Sequence, residues 1–154
     1  MIESDLWERT VKELGRRGLH GQREAGAFLL SSRRAGDRRV AKAVYFDDLD
    51  PDCLVGNIHF RSPGYSKLWD ICDKEDLRVV ADVHTHPGTG VSQSTTDRGN
   101  PMVARIGHLA LIVPCYGMRP VAANEVGVHE YHGDRGWESW LGPRAKRVLL
   151  IKGS

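Results

Sequence analysis

Cysteine is scarce in this chain: Cys53, Cys72 and Cys115 are the three, and no two form a C-x-x-C pair. An odd number at wide spacing suits neither a disulfide framework nor a thiolate zinc site. Reduced, packed thiols fit a cytoplasmic protein. No sign of charge prevails, since 22 basic and 20 acidic residues leave +2. The pairs Arg16-Arg17, Arg33-Arg34 and Arg38-Arg39 are short and lie in polar segments. They read as solvated surface, so no nucleic-acid partner is expected. Long apolar runs are missing too. The longest, "LALIVPCYGM", falls well short of the about 20 residues that span a bilayer, and no membrane partner is expected. The start, "MIESDLWERTVKELG", is charged and amphipathic, unlike a signal peptide. There is no repeat and no low-complexity tail.

What remains is ordinary globular material: 154 residues, 40% hydrophobic and 27% charged. That length is most simply one domain, 1–154, with enough chain to bury a core. "SDLWERTVKELGRRG" predicts a helix with Ser4 as N-cap, a stripe of Leu6, Trp7, Val11 and Leu14, and an end at Gly15 or Gly18. "AGAFLLSS", "RRVAKAVYF" and "VGNIHF" predict three strands. "SPGYSKLWDICDKEDL" predicts a second helix. "RVVADV", ending at His84, is a strong strand, and "GHLALIVP" another. "VGVHEYH" and "KRVLLI" predict later strands, with "WESWL" a short helix or turn between them. Helices and strands interleave irregularly. The expected fold class is α/β or α+β, a sheet with two main helices packed on it.

One stretch stands out, "DVHTHPGTGVSQSTTD" from Asp82 to Asp97. On an extended chain, side chains two apart point to the same side. His84 and His86 can then converge on one ion, with Thr85 facing away. Zinc accepts imidazole nitrogen and carboxylate oxygen, and Asp97 can swing back across the loop as a third ligand. Three protein ligands leave a fourth tetrahedral position for water, which is the pattern of a catalytic zinc. Such an ion lowers the pKa of its water to about 7 and supplies hydroxide at neutral pH. Chance is the competing explanation. With seven His, nine Ser and twelve Asp, His-x-His, seven residues, Ser-x-x-Asp arises in roughly one chain in a thousand.

"HTHPGTGVSQSTTD" resembles the signature of the JAMM (MPN+) zinc metalloproteases: His84-x-His86-Pro87, seven residues, then Ser94-x-x-Asp97. That family also carries a glutamate just before a small-residue-rich strand, and "REAGAFLL" puts Glu24 there. The order of elements matches over most of the chain. "GHLALIVP" resembles the strand after the metal loop in bacterial members.

The resemblance implies an MPN, cytidine-deaminase-like mixed sheet, curved, with two main helices packed on it. It implies one catalytic Zn2+ held by His84, His86 and Asp97. Glu24 would be the general base and Ser94 the donor to the developing oxyanion. Taken without the resemblance, Glu24 is a solvated residue at a loop end.

Asp82 shares the parity of the two histidines. It is a candidate to orient a ligand or touch substrate, with an edge carboxylate paired to an arginine as the alternative. Thr85 and His108 are further candidates for such contacts, and His108 also fits a hydrogen-bonded core histidine. His129 and His132 are three apart on an expected strand and face opposite ways, which argues against a second metal site. Ser92 lacks the Ser-x-x-Asp spacing. Trp137 and Trp140 read as packing.

The implied activity is hydrolysis after the extended C-terminal tail of a ubiquitin-like protein, by deconjugation or by precursor processing. Only about ten residues separate Asp97 from "GHLALIVP". No room remains for the zinc-bearing insertion of linkage-specific eukaryotic members. Sixteen arginines against six lysines and a compact core resemble a bacterial stand-alone member. Some such relatives accompany ubiquitin-like, E1-like and E2-like proteins in antiphage operons, and "DVHTHPGTG" resembles that group. Others process sulfur-carrier proteins. The RadC-type domain has Pro-Ser-Gly-Asp-Pro where this chain has Pro-Gly-Thr-Gly. A non-catalytic MPN scaffold is the alternative class, although such scaffolds usually lose ligands.

Overall fold

The computed structural model describes residues 1–153. A two-residue strand, β1 (Ile2–Glu3), runs straight into helix α1 (Ser4–Arg17). Trp7, Val11 and Leu14 of α1 are all buried, forming the stripe that an amphipathic helix turns to its core. The expected Ser4 N-cap does not form. Glu3 takes the cap position with an extended backbone and no side-chain cap bond, because Ile2 and Glu3 are already held in a strand pair. Gly18 ends the helix, its N–H bonded to the Leu14 carbonyl at 2.9 Å.

Strand β2 (Gly26–Ser32) pairs antiparallel with β3 (Val40–Tyr45), and helix α2 (Phe46–Leu49) follows at once. "VGNIHF" is a loop and not the expected third strand. The Asp50 carboxylate accepts the Arg61 N–H at 3.0 Å and ties the loop's two ends. Phe60 turns inward while Val55 stays 74% exposed. With the apolar ring placed and the ends closed, the segment gains nothing from a sheet edge. Helix α3 (Ser62–Glu75), strand β4 (Leu77–Thr85), the short helix α4 (Thr95–Gly99) and strand β5 (Leu109–Val113) come next.

Strands β6 (Gly127–Tyr131) and β7 (Trp137–Trp140) form an antiparallel hairpin. "WESW", expected as a helix or turn, is thus a strand. Tyr131 faces Trp137 and Val128 faces Trp140 across the pair. Aromatic cross-strand pairs of this kind stabilise a ladder more than local propensity opposes it. Of "KRVLLI" only Ile151 lies in a strand, β8 (Ile151–Lys152), and a 3-10 turn over Gly142–Arg147 takes its start. β8 pairs parallel with β1, apart from the main sheet.

The main sheet has the order β3-β2-β4-β5-β6-β7. β4 and β5 are parallel and every other pair is antiparallel. Nearly every residue of β2 and β4 is buried, as expected of central strands covered on both faces. Phe28 stands opposite Asp82 in register, so the two share a face. The Phe28 ring lies 4.8 Å from Phe46, 5.3 Å from Phe60 and 6.1 Å from Tyr65, which puts α2 and α3 on that face. Truncating a buried ring such as Phe28 costs about 3–5 kcal/mol. Gly117, after β5, lies between Val11 of α1 and Thr85 of β4, so α1 covers the other face. The result is a mixed α+β fold with two main helices packed on one six-stranded sheet, the expected class. Among the described residues no helix is long and apolar enough to cross a membrane.

Candidate metal centre

Asp82, His84 and His86 project from one side of β4 as it runs out. His84 Nε2 and His86 Nε2 are 3.2 Å apart. Asp97 Oδ2 is 3.2 Å from His86 Nε2, and Asp97 Oδ1 is 3.5 Å from His84 Nε2. Ligands about 2.0–2.1 Å from one tetrahedral ion stand about 3.3 Å from each other. These three side chains therefore fit such an ion. Their ligand atoms all lie within 4.8 Å of one another.

Local chemistry delivers Asp97 to that point. Ser94 is the N-cap of α4, and its Oγ accepts the Asp97 N–H at 3.0 Å. Asp97 Oδ2 in turn accepts the Ser94 N–H at 2.9 Å. The spacing Ser-x-x-Asp is thus a capping box, a turn that short-range bonding closes by itself. It also turns one carboxylate toward the two histidines. Ser94 Oγ accepts in this box, and a hydroxyl that accepts still has a proton to donate.

Each imidazole is oriented from behind. His86 Nδ1 lies 3.2 Å from the Gly90 carbonyl. A carbonyl only accepts, so Nδ1 carries the proton and Nε2 presents its lone pair, as metal-binding histidines do. His84 Nδ1 faces Asp82 Oδ2 at 4.0 Å. Asp82 is 1% exposed, and its other oxygen accepts from His108 Nε2 at 2.7 Å. Its partner is therefore a histidine and not the arginine considered as the alternative. His108 is a hydrogen-bonded buried histidine that shares the carboxylate facing His84.

Electrostatics favour a cation here. Burial opposes charge on His84, but the Asp82 and Asp97 carboxylates beside it prevail and raise its pKa to about 9. Burial likewise opposes ionising Asp97, yet hydrogen bonds from His84 and His86 hold it far below the usual carboxylate range. The same contest at Asp82, won by His108 and His84, also lowers its pKa. Two buried or half-buried carboxylates thus face imidazoles, and either a proton or a metal ion relieves them.

Glu24 precedes β2, where Gly26 pairs with His84. The ladder ends at that pair; its alternation, if continued by two residues, would put Glu24 on the His86 side. Thr85 faces away, and its Oγ1 accepts the Ala25 N–H at 3.0 Å, holding the strand end beside Glu24. Gly26 has no room for a side chain, since a Cβ there would overlap the Phe46 ring.

The other residues fall outside the cluster. His129 is buried, between Ser139 Oγ at 2.7 Å and the Val91 carbonyl at 2.9 Å. His132 lies 3.3 Å from Glu138. Ser92 is exposed. Trp140 packs against the core, while Trp137 Nε1 donates to the Arg98 carbonyl at 3.1 Å. Those contacts of His129 and Trp137 with the loop depend on which strands are neighbours, and no sequence motif marks them. Cys53 and Cys72 are buried, and burial pushes the Cys53 thiol up to about 12. A groove of about 1090 Å³ runs along Trp7, Val11, Met118 and Leu150 and includes none of His84, His86 and Asp97.

A scan against models of known protein families finds no match. Solved structures do match. The solution structure of protein DSY2949 from Desulfitobacterium hafniense aligns over 100% of this chain and 94% of its own, with TM-score 0.66 and 19% identity. A solution structure of a Salinibacter ruber protein aligns over 93% and 92%, with TM-score 0.60 and 19% identity. AF2198, a JAB1/MPN domain protein from Archaeoglobus fulgidus, aligns over 99% and 95%, with TM-score 0.51 and 16% identity. At this identity the likeness concerns the backbone, and the chain has the fold of a JAB1/MPN domain.

Proposed function

We propose that the protein is a zinc-dependent peptidase or isopeptidase that cuts after the C-terminal tail of a ubiquitin-like protein. The observation that carries this reading is the spacing of the His84, His86 and Asp97 ligand atoms, which fits one tetrahedral ion. The JAB1/MPN fold and the resemblance of the loop to the JAMM signature support it. When bound, the ion acidifies water and polarises a carbonyl.

The chain's own residues do the rest. His84, His86 and Asp97 hold the ion, oriented by Asp82 and the Gly90 carbonyl. The Glu24 carboxylate takes a proton from the attacking water and returns it to the leaving amine. The Ser94 hydroxyl donates to the carbonyl oxygen as negative charge builds there, an interaction worth about 3–4 kcal/mol at comparable sites. The substrate segment would be an extended tail ending in two glycines, laid beside the loop. The setting that fits best is the bacterial cytoplasm, with E1-like and E2-like partners and a role in antiphage defence. Trimming of sulfur-carrier precursors uses the same chemistry.

The test is zinc content of the purified protein, followed by cleavage of a panel of ubiquitin-like fusions. Stoichiometric zinc and cleavage after a Gly-Gly tail are expected. Zinc-free protein that cleaves none of the panel would make it a non-catalytic scaffold. Glu24→Gln should keep zinc and lose turnover, and normal turnover would overturn the role of Glu24.

A further inference from the structure

Apart from the Cys115 N–H that donates to the Gly88 carbonyl at 2.8 Å, the segment between His86 and Asp97 is held mainly by bonds within itself. Gly88, Thr89, Gly90, Ser92 and Ser94 are exposed, so burial of apolar surface does not fix its path. Yet Asp97 must arrive within a few tenths of an ångström for the ligand set to close. Two side chains of the β6–β7 hairpin reach this segment. His129 Nε2 is 2.9 Å from the Val91 carbonyl, and Trp137 Nε1 donates to the Arg98 carbonyl at 3.1 Å. The two carbonyls bracket Ser94 and Asp97.

We propose that the β6–β7 hairpin is a clamp, with His129 and Trp137 as positioning residues that hold Val91–Arg98 so that Asp97 meets the metal and Ser94 is aimed. This rests on the zinc reading above.

The chemistry at His129 admits one arrangement. The Val91 carbonyl has no proton, so Nε2–H must donate. Nδ1 is then bare and accepts the Ser139 hydroxyl proton at 2.7 Å. Ser139 is the direct cross-strand partner of His129, so the imidazole is held from one side and holds from the other. Burial keeps it neutral by lowering its pKa. Gly127 completes the seat, because a Cβ there would overlap the Val91 carbonyl oxygen. Trp137 is braced by the Tyr131 ring, 5.1 Å away in an edge-to-face arrangement.

The sheet register ties the clamp to the ligands. Asp82 pairs with Ala110, and Ala110 pairs with His129. One row of one face thus runs from the carboxylate behind His84 to the imidazole that holds Val91. His84 comes from β4 and His86 is the residue just past its end, and Asp97 is set from β6 and β7 of the same sheet.

The experiment uses the full chain with His129→Leu, Trp137→Phe, the conservative His129→Gln, and His132→Ala as a control. Zinc affinity is read by competition with a chromophoric chelator. Amide hydrogen exchange over residues 88–98 is read in the zinc-free protein. His129→Leu should weaken zinc about 10–100-fold, the range for outer partners of ligands. It should also speed exchange over 88–98 while leaving β4 and β5 protected. Trp137→Phe, which keeps an aromatic ring beside Tyr131 but loses the indole N–H and part of the ring area, should do the same to a smaller degree. His129→Gln keeps a donor for Val91 and should recover most of the affinity, and His132→Ala should match wild type. Where a fusion is cleaved, His129→Leu should lower kcat more than it raises KM.

Unchanged exchange and unchanged zinc affinity in both His129→Leu and Trp137→Phe would overturn the clamp and leave the zinc reading intact. A wild type that binds zinc but cuts no fusion would sink the proposed activity and leave the clamp standing. If wild type binds no zinc, exchange over 88–98 still decides the clamp. Should His129→Leu fail to fold, Trp137→Phe and His129→Gln give the answer.

Discussion

His108 Nε2 lies 2.7 Å from one oxygen of Asp82, and the other oxygen of that carboxylate faces His84 Nδ1 at 4.0 Å. One buried carboxylate thus faces two histidines from behind the His84–His86–Asp97 cluster. Asp82→Asn removes its charge but not its shape. Zinc affinity should fall about 10–100-fold. The fold should lose about 1–3 kcal/mol as His108 loses a charged partner in a dry site. Chelator competition and urea unfolding of the same sample check both. An Asp82→Asn protein with wild-type zinc affinity would show that His84 needs no support from Asp82.

Ser94 has two duties that one substitution separates. Its Oγ caps α4, and its proton is free for substrate. Ser94→Ala should cost about 1 kcal/mol of local stability through the lost cap. It should lower kcat about 10²–10³-fold through the lost donor, with zinc still bound through His84, His86 and Asp97. Asp97→Ala, by contrast, should lose both zinc and turnover. Metal analysis beside single-turnover rates distinguishes the pair, and equal zinc loss in both would refute the division.

Metal-free and zinc-loaded protein should respond oppositely to pH. In the metal-free site the pKa of His84 rises from its ordinary 6.5 to about 9. A raised folded value means that its charge stabilises the fold fully below pH 6.5, and that this is lost as pH climbs through 9. Metal-free stability should fall by on the order of 1–3 kcal/mol over that window. Zinc needs the unprotonated imidazole, so its affinity should rise over the same window. Unfolding curves at pH 6, 7.5 and 9, with and without zinc, should therefore diverge as pH rises. Curves that converge would count against His84 as a ligand.

Gly26 couples core packing to the site. Gly26→Ala drives a Cβ into the Phe46 ring and should cost about 1–3 kcal/mol by overpacking. Phe46→Leu in the same chain should recover part of that loss, because it removes the ring that the Cβ meets. Denaturant midpoints of the single and double variants measure the coupling. Additive losses would mean that the strand shifts and the ring does not.

Much of the site is legible in the residues because its first parts are short-range. His84 and His86 share a side by the period of two along an extended chain. Ser94 and Asp97 meet through a capping box that closes over three residues. The strand ending at His84 and the two 14-residue helices announce themselves by periodicity. Where long-range pairing competes with local pattern, the pattern misleads. "VGNIHF" alternates like a strand but closes as a loop through Asp50 and Arg61. "WESW" looks like a turn but pairs with β6.

The shared side of His84 and His86, the return of Asp97 and the two long helices were legible in the residues alone. Each of these depends on dihedral preferences and hydrogen bonds within a few residues. Tertiary structure set which strands are neighbours, so that Asp82 bonds His108 and His129 and Trp137 reach the loop that carries Ser94 and Asp97. Those relations depend on which strands are neighbours and in what register, and that is set by burying the whole sheet between its helices.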